Sequence, residues 1–258
     1  MSETPELASC EQTLHDIKTP LSIMYNSIRE LERAARQHSE FREPLETLRR
    51  NWLRILKLVT DAGDYRKLDL GLMLPKQANH DIVTLVRNIT ESTRALTDRR
   101  DIRLIFDTSI DEKRMAVDRD IIDRILLNLL SNAIKFTDNG GGITVRLAED
   151  GDMLSLTVSD TGVGISAEHA RRVFEPHYFV AGPRNTSGTG MGLYIVKQLV
   201  DLLSGEVRLE DSSAGAAITV RLPCFVIEED QQEFRYFDDF YIDNMVQIEL
   251  SDAHYNKQ

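Results

Sequence analysis

A histidine near the start of the chain is placed to act as a nucleophile. His15 opens the stretch His-Asp-Ile-Lys-Thr-Pro, which ends at Pro20. On a helix of about 100° per residue it lies opposite the apolar seam, so we expect its ring to face solvent. A free imidazole is mostly neutral at pH 7 and can attack an electrophile, and Asp16 could accept a ring proton and fix the tautomer. The alternative is an ordinary surface histidine on a helix that Pro20 kinks.

A second set of polar residues recurs at helical spacing in the middle of the chain. Asn128, Asn132 and Lys135 are separated by four and three residues, so they form one stripe on a helix that is otherwise largely apolar. Two amides and an ammonium suit a phosphate chain with Mg²⁺, because amide oxygens ligate this hard cation and lysine neutralises phosphate charge. A plain amphipathic surface helix fits the same stripe.

Two glycine-rich stretches could bring the backbone close to a ligand. Gly162 and Gly164 follow a strand that ends at Asp160, whose carboxylate could accept a hydrogen bond from an exocyclic amine such as that of adenine. The second stretch opens a helix and offers backbone N–H groups to an anion; its glycines are Gly188, Gly190 and Gly192. The polar segment 180–187 before it indicates a mobile lid. A tight turn and a glycine-rich connector explain these two stretches equally well.

The elements that must position these residues begin with two long helices. Apolar residues recur at alternating spacings of three and four, the heptad pattern of helices that pack on other helices. They are Leu14, Ile17, Leu21, Met24, Ile28 and Leu31 in the first helix, and Leu45, Leu48, Trp52, Ile55, Val59 and Ala62 in the second. Two helices make a thin core, so we expect a second copy to complete a four-helix bundle. An intramolecular antiparallel pair, capped by the rest of the chain, is the alternative.

The remainder mixes helical and strand patterns after a predicted linker at 71–80. Helices are predicted at 81–96, 121–136 and 191–203, a strand at 103–108, and hairpins at 143–158 and 206–222. Strand pairs with interspersed helices indicate a two-layer sandwich. The predicted fold class is α+β. A helical hairpin at 1–70 forms a dimeric four-helix bundle, an α/β sandwich follows at 81–225, and the acidic, aromatic tail 226–258 has no predicted role.

Composition excludes several classes of protein. The chain has 258 residues, 41% hydrophobic and 28% charged, which argues against wholesale disorder. The formal net charge of −11 argues against a nonspecific nucleic-acid binder, and 228–258 carries −7 of it, from nine acidic and two basic residues. Two cysteines, Cys10 and Cys224, favour a reducing compartment. No apolar run approaches the roughly 18 residues of a membrane span. We therefore expect a cytoplasmic protein.

The ordered set of motifs resembles the sensor histidine kinases of two-component systems, over roughly residues 8–224. Each motif alone is ambiguous, whereas all five together in family order are specific. His15–Pro20 is similar to the phosphoacceptor box, Asn128–Phe136 to the N box, Asp160–Gly164 to the first glycine box, Val173–Pro176 to the F box, and Gly188–Leu193 to the second glycine box.

The resemblance implies a dimerisation and phosphotransfer bundle followed by an ATP-binding domain of the Bergerat type. His15 would be phosphorylated on a ring nitrogen, and the phosphoryl group would pass to an aspartate in the receiver domain of a response regulator. Asp16 would assist as acid and base. Thr19 would orient water when the protein dephosphorylates its partner. The balance between kinase and phosphatase activity, the input signal and the cognate regulator stay open.

The resemblance also implies ATP and Mg²⁺ as ligands. Asn132 would ligate Mg²⁺, Asn128 and Lys135 would lie near the phosphates, and Asp160 would read the adenine amine. The other residues implied for the pocket are Phe136, Gly162, Gly164, Gly188, Gly190, Gly192 and Leu193. Because Gly215-Ala-Ala217 stands where the family often has a hydroxyl residue, a hydrogen bond on the adenine side is expected to be lost or to move to Thr219.

Two other functions are compatible with parts of the sequence. A degenerate kinase could dimerise with other kinases and regulate them, although the intact nucleotide motifs count against it. A clamp-type ATPase related to gyrase, Hsp90 and MutL is the other reading. Those proteins need a hydrolytic acid in the N-box helix, where this chain has the amide of Asn128.

Overall fold

The computed structural model describes residues 5–35, 38–178, 189–212, 214–228 and 245–251, and no side chains at 5–15, 18 and 39. The chain divides into two compact units, residues 1–72 and 73–258. Among the described helices, none combines the length and the apolar character needed to cross a membrane.

The first unit is a pair of long helices. Helix α1 spans Pro5–Ala34 and helix α2 spans Arg42–Asp69, with a short 3-10 helix at Ser39–Phe41 between them. Trp52 joins the helices, because its Nε1 donates a hydrogen bond of 2.7 Å to the Leu21 carbonyl oxygen and its ring stacks on Tyr25. Two long helices are therefore confirmed, and Pro20 lies inside α1.

Only part of the predicted heptad seam is buried within this hairpin. Leu21 and Ile28, seven residues apart on α1, are buried. Three further seam positions of α1, also seven residues apart, are exposed: Ile17 at 40%, Met24 at 43% and Leu31 at 52%. On α2, Trp52 is buried whereas Leu48 and Ile55 are exposed. Each helix thus has two sets of seam residues. One set packs against the other helix of the hairpin, and the second set stays exposed to solvent.

The second unit is built on a mixed five-stranded sheet in the order β2-β4-β5-β7-β6. Strands β2 and β4 are parallel, and the other neighbours are antiparallel. The strands are β1 Ala78–Asp81, β2 Arg103–Thr108, β3 Arg114–Val117, β4 Gly142–Asp150, β5 Met153–Asp160, β6 Glu206–Glu210 and β7 Ala217–Pro223. The helices are α3 Ile82–Ser92, α4 Arg94–Arg99, α5 Arg119–Phe136, α6 Ala167–Ala170 and α7 Gly192–Leu202. The α+β class and both predicted hairpins are confirmed.

Helix α5 forms the centre of the core, because it packs against α3, α7 and strand β5. Every second residue of β4 and β5 points to the helices, as the alternation predicts. The fully buried residues include Ile125, Leu126, Leu130 and Ile134 of α5, and Ile143, Val145 and Val220 of the sheet.

Strand β3 and the short helix α6 were not predicted, and two predicted features differ from the structure. Residues 78–80 of the predicted linker belong to β1, which pairs antiparallel with β3. The sequence of β1 shows no apolar alternation. The strand is stabilised by a segment distant in the chain, since the Asn79 side chain forms two hydrogen bonds with the backbone of Ile227. The helix predicted at 81–96 breaks into α3 and α4 at Thr93, whose hydroxyl donates to the Thr90 carbonyl oxygen and competes with helical bonding.

A buried carboxyl on α5 makes the stability of the fold depend on pH. Burial raises the pKa of Asp123 to about 7, and Arg119, 3.9 Å away, opposes this only in part. The native state therefore keeps this proton while the unfolded chain loses it near the ordinary value of 3.8. Stability from this group is fully present below that value and is lost as pH rises through about 7.

We expect Asp123→Asn to remove this pH dependence, because the amide stays neutral throughout. In urea unfolding of the full chain, the variant should gain stability over the wild type as pH rises from about 4 to about 8. Asp111→Asn, at an exposed position, is the matched control and should track the wild type. Parallel curves for Asp123→Asn and the wild type would contradict the assignment.

Candidate nucleotide-binding site

Helix α5 carries the polar stripe that the spacing predicts. Its N-terminus is capped by Asp118, whose side chain accepts a hydrogen bond of 3.3 Å from the Ile121 N–H. Asn128 is 2% exposed, and its Nδ2 donates to the Arg124 carbonyl oxygen at 2.9 Å. Lys135 is 5% exposed, with Nζ 5.2 Å from the centre of the Phe136 ring, and Asn132 is half-buried.

The C-terminal end of α5 is held by an arginine that sequence reasoning missed. The Arg100 guanidinium donates to the carbonyl oxygens of Ile134 and, at 3.0 Å, of Thr137. These are carbonyls of the last turn and the residue after it, and a cation there also opposes the negative end of the helix dipole. Arg100 thereby fixes the position of Phe136. Nothing in the sequence marks it, because its partners are backbone atoms distant in the chain.

Asp160 ends strand β5 with its carboxyl group oriented by the backbone. Its Oδ1 accepts hydrogen bonds from the N–H groups of Gly162 at 2.8 Å and Ala216 at 3.2 Å. Burial raises the pKa of Asp160 above its ordinary value, and these two donors partly offset the effect. The carboxyl group thus lies half-buried at the end of the central strand of the sheet, in one defined orientation.

Glycines allow three segments to meet around Asp160. A Cβ on Gly162 would overlap the Phe136 carbonyl oxygen, and a Cβ on Gly215 would overlap that of Asp160. Gly164, at φ +71°, would place a Cβ 2.9 Å from the Gly215 oxygen. The end of α5, the loop after β5 and the loop before β7 therefore form one packed corner. No sequence pattern marks the contact of Gly215, because its partner is a backbone oxygen distant in the chain.

The N-terminus of α7 lies against the polar stripe of α5. A Cβ on Gly192 would come within 2.8 Å of Asn128 Oδ1, so glycine permits this approach. Gly190, at φ +68°, passes equally close to the backbone of His177, and Leu193 is half-buried. Gly188 and the predicted lid at 180–187 lie outside the described residues.

Thr219 lies on the face of the sheet opposite Asp160. It pairs with Thr157 across β5 and β7, and the two hydroxyl oxygens are 2.9 Å apart. Asp160 shares the parity of Val158 and faces the helices, as does Val220. The structure therefore does not bring Thr219 to this site, because neighbouring residues of a strand point to opposite faces.

The phosphoacceptor box lies in the first unit, on α1. Asp16 and Thr19 are exposed. His15 is within the helix, and its side chain, including the predicted exposure of the ring, lies outside the described residues.

Comparison with known proteins identifies the family of this chain. Residues 117–225 match the family described as histidine kinase-, DNA gyrase B- and HSP90-like ATPases. Sensor histidine kinase TmoS of Ectopseudomonas mendocina is 33% identical over 215 residues, which are 81% of this chain and 22% of TmoS. Sensor histidine kinase RcsC of Escherichia coli K12 is 32% identical over 69% of this chain and 19% of RcsC. This chain thus spans only about a fifth of the length of these two relatives.

Solved structures share the fold. Full-length ShkA in complex with AMPPNP has a TM-score of 0.71 at 27% identity, over 88% of this chain and 48% of ShkA. Histidine kinase ThkA in complex with the response regulator TrrA shares the fold, with a TM-score of 0.57 at 18% identity over 86% of this chain and 62% of that one.

The second unit is an ATPase domain of the Bergerat type, built around α5 and the corner at Asp160. The chain as a whole belongs to the sensor histidine kinases of two-component systems.

The packed corner predicts that Gly162→Ala weakens nucleotide binding. The new methyl group would collide with the Phe136 carbonyl oxygen and displace the Asp160 loop. We expect at least a tenfold loss of affinity for a non-hydrolysable ATP analogue, measured by calorimetry. Gly142→Ala is the matched control, because a Cβ there meets nothing closer than 3.8 Å. Equal affinities of the two variants would show that the corner does not shape the site.

Proposed function

We propose that this chain binds ATP with Mg²⁺ in its second unit, phosphorylates His15, and passes the phosphoryl group to an aspartate of a response regulator. The observation that carries the proposal is the corner where Asp160, Phe136 and Gly162 meet, within a domain of an ATPase family. The AMPPNP complex of ShkA supports the nucleotide, and the complex of ThkA with TrrA supports the partner.

The side chains around α5 fit the parts of this nucleotide. The oriented carboxyl group of Asp160 suits the adenine amine as a hydrogen-bond acceptor, and Phe136 supplies apolar surface beside it. The amide oxygen of Asn132 suits Mg²⁺, and Asn128 and Lys135 suit the phosphates. The N-terminus of α7 adds backbone N–H groups for the same anion; the glycines involved are Gly188, Gly190 and Gly192.

Phosphoryl transfer asks the protein mainly for positioning and for neutralisation of charge. A ring nitrogen of His15 attacks the γ-phosphorus, the N–P bond forms, and the bond to the oxygen bridging to the β-phosphate breaks as ADP leaves. Asp16 takes up or orients the ring proton. In the phosphatase activity, which removes the phosphoryl group from the receiver, the hydroxyl of Thr19 would orient the attacking water.

The uncovered part of the heptad seam supports a homodimer. Ile17, Met24 and Leu31 lie seven residues apart and are exposed, so they line one side of α1. A second copy would bury this side together with Leu48 and Ile55 of α2 and complete a four-helix bundle. Removing apolar surface from water contributes about 25 cal/mol per Å², and this free energy favours the association.

The proposed phosphorylation site is tested by His15→Gln. We expect the wild type to incorporate label from γ-labelled ATP as an acid-labile, base-stable adduct, and His15→Gln to incorporate none, because glutamine has no nucleophilic ring nitrogen. His38→Gln, an exposed histidine in the same unit, should label normally.

Label that survives His15→Gln would contradict the assigned site. Wild-type protein that binds ATP but never labels would favour the regulatory binding partner instead of the kinase.

The proposed dimer is tested by Met24→Asp. A carboxylate in the apolar seam would be desolvated on association, so we expect at least a tenfold weaker dimer in sedimentation experiments over a concentration series. Ile23→Asp introduces the same charge at an exposed residue outside the seam and serves as the control. Unchanged association of Met24→Asp, or a wild type that stays monomeric, would overturn the dimer.

A further inference from the structure

A short segment of the acidic tail is packed into the ATPase unit. Residues 245–249 are helical, and the buried apolar residues of the segment 245–251 are Met245, Val246, Ile248 and Leu250. Glu249 is 0% exposed. A segment that buries four apolar side chains and a carboxylate is bound to a surface, and its partners identify which one.

Two side chains of α5 hold this segment. The Ser131 hydroxyl donates a hydrogen bond of 2.8 Å to the Glu249 carbonyl oxygen in a buried contact. The Glu249 carboxylate lies 3.8 Å from Arg124 Nη2, and the Arg124 side chain is itself largely buried. Ser131 thus binds the backbone of the segment, and Arg124 lies near its carboxylate. The two contacts together determine where the segment lies along α5.

These contacts lie next to the residues proposed to bind phosphate. Ser131 is three residues after Asn128 and four before Lys135, so all three are neighbours on the helix surface, about 60° and about 40° apart around its axis. Asn128 and Lys135 are almost completely buried. A negatively charged segment thus occupies the flank of the stripe on which the phosphates of ATP would lie.

We propose that segment 245–251 is an intrachain ligand of this face of α5 that competes with nucleotide, so that the C-terminus regulates ATP binding. The inference rests on the proposed function, since it concerns the same site. Only molecules in which the segment has left α5 would be able to bind ATP. The apparent dissociation constant is then the intrinsic value divided by the released fraction.

The test compares full-length variants in their affinity for Mg²⁺ and a non-hydrolysable ATP analogue. Leu250→Asp places a charge at a buried position of the segment and should release it. We expect binding to tighten at least tenfold relative to the wild type. Val226→Asp adds the same charge at an exposed tail residue outside the segment and should bind as the wild type does.

Hydrogen exchange on the wild type gives a second measurement that does not depend on a variant folding. If nucleotide and segment compete, adding the analogue should accelerate exchange of the backbone amides of 245–251. If Leu250→Asp fails to fold, this measurement alone decides.

Three results would overturn the proposal. Equal affinity of Leu250→Asp and the wild type would do so, and so would unchanged protection of 245–251 on adding the analogue. In both cases nucleotide still binds, so the proposed function survives. If no chain binds the analogue, ATP binding itself fails and the competition fails with it.

Discussion

The close approach of the loop after β5 to the last turn of α5 is the contact on which the ATPase unit depends. Gly162 lies against the Phe136 carbonyl oxygen, and Asp160 accepts hydrogen bonds from two loops at once. Arg100 supports this helix end by donating hydrogen bonds to its terminal carbonyl oxygens. Contacts within the chain thereby hold Asp160 and Phe136 in one geometry, and a site preorganised in this way loses less entropy on binding.

The first unit differs from the ATPase unit in that it leaves apolar side chains of its helices exposed. Trp52 ties the two helices together through the Leu21 carbonyl, while part of each heptad seam stays exposed. A two-helix hairpin has too little core to be stable alone, so association through this seam would contribute both stability and the symmetry of the assembly.

Part of the negative charge of the tail is buried in the fold. The sequence predicts no role for this acidic tail, yet Glu249 is fully buried, with its carboxylate near Arg124 and its carbonyl oxygen hydrogen-bonded to Ser131. Apolar residues at 245, 246, 248 and 250 overcome the cost of ordering the segment, and the carboxylate meets a cation there. Charge on this segment would then discriminate against a second anion on the same helix, the phosphate chain of ATP.

The sequence alone determined the elements whose information is local. Heptad spacing defined α1 and α2, strand alternation defined both hairpins, and the spacing of Asn128, Asn132 and Lys135 defined their common stripe, because each depends only on helix or strand geometry. Contacts between distant segments were decided by tertiary structure. Strand parity turned Thr219 away from Asp160, Arg100 reached backbone carbonyls more than thirty residues away, and β1 formed only through partners supplied by other segments. Backbone acceptors and close glycine contacts have no residue-type signature, so only the folded chain reveals them.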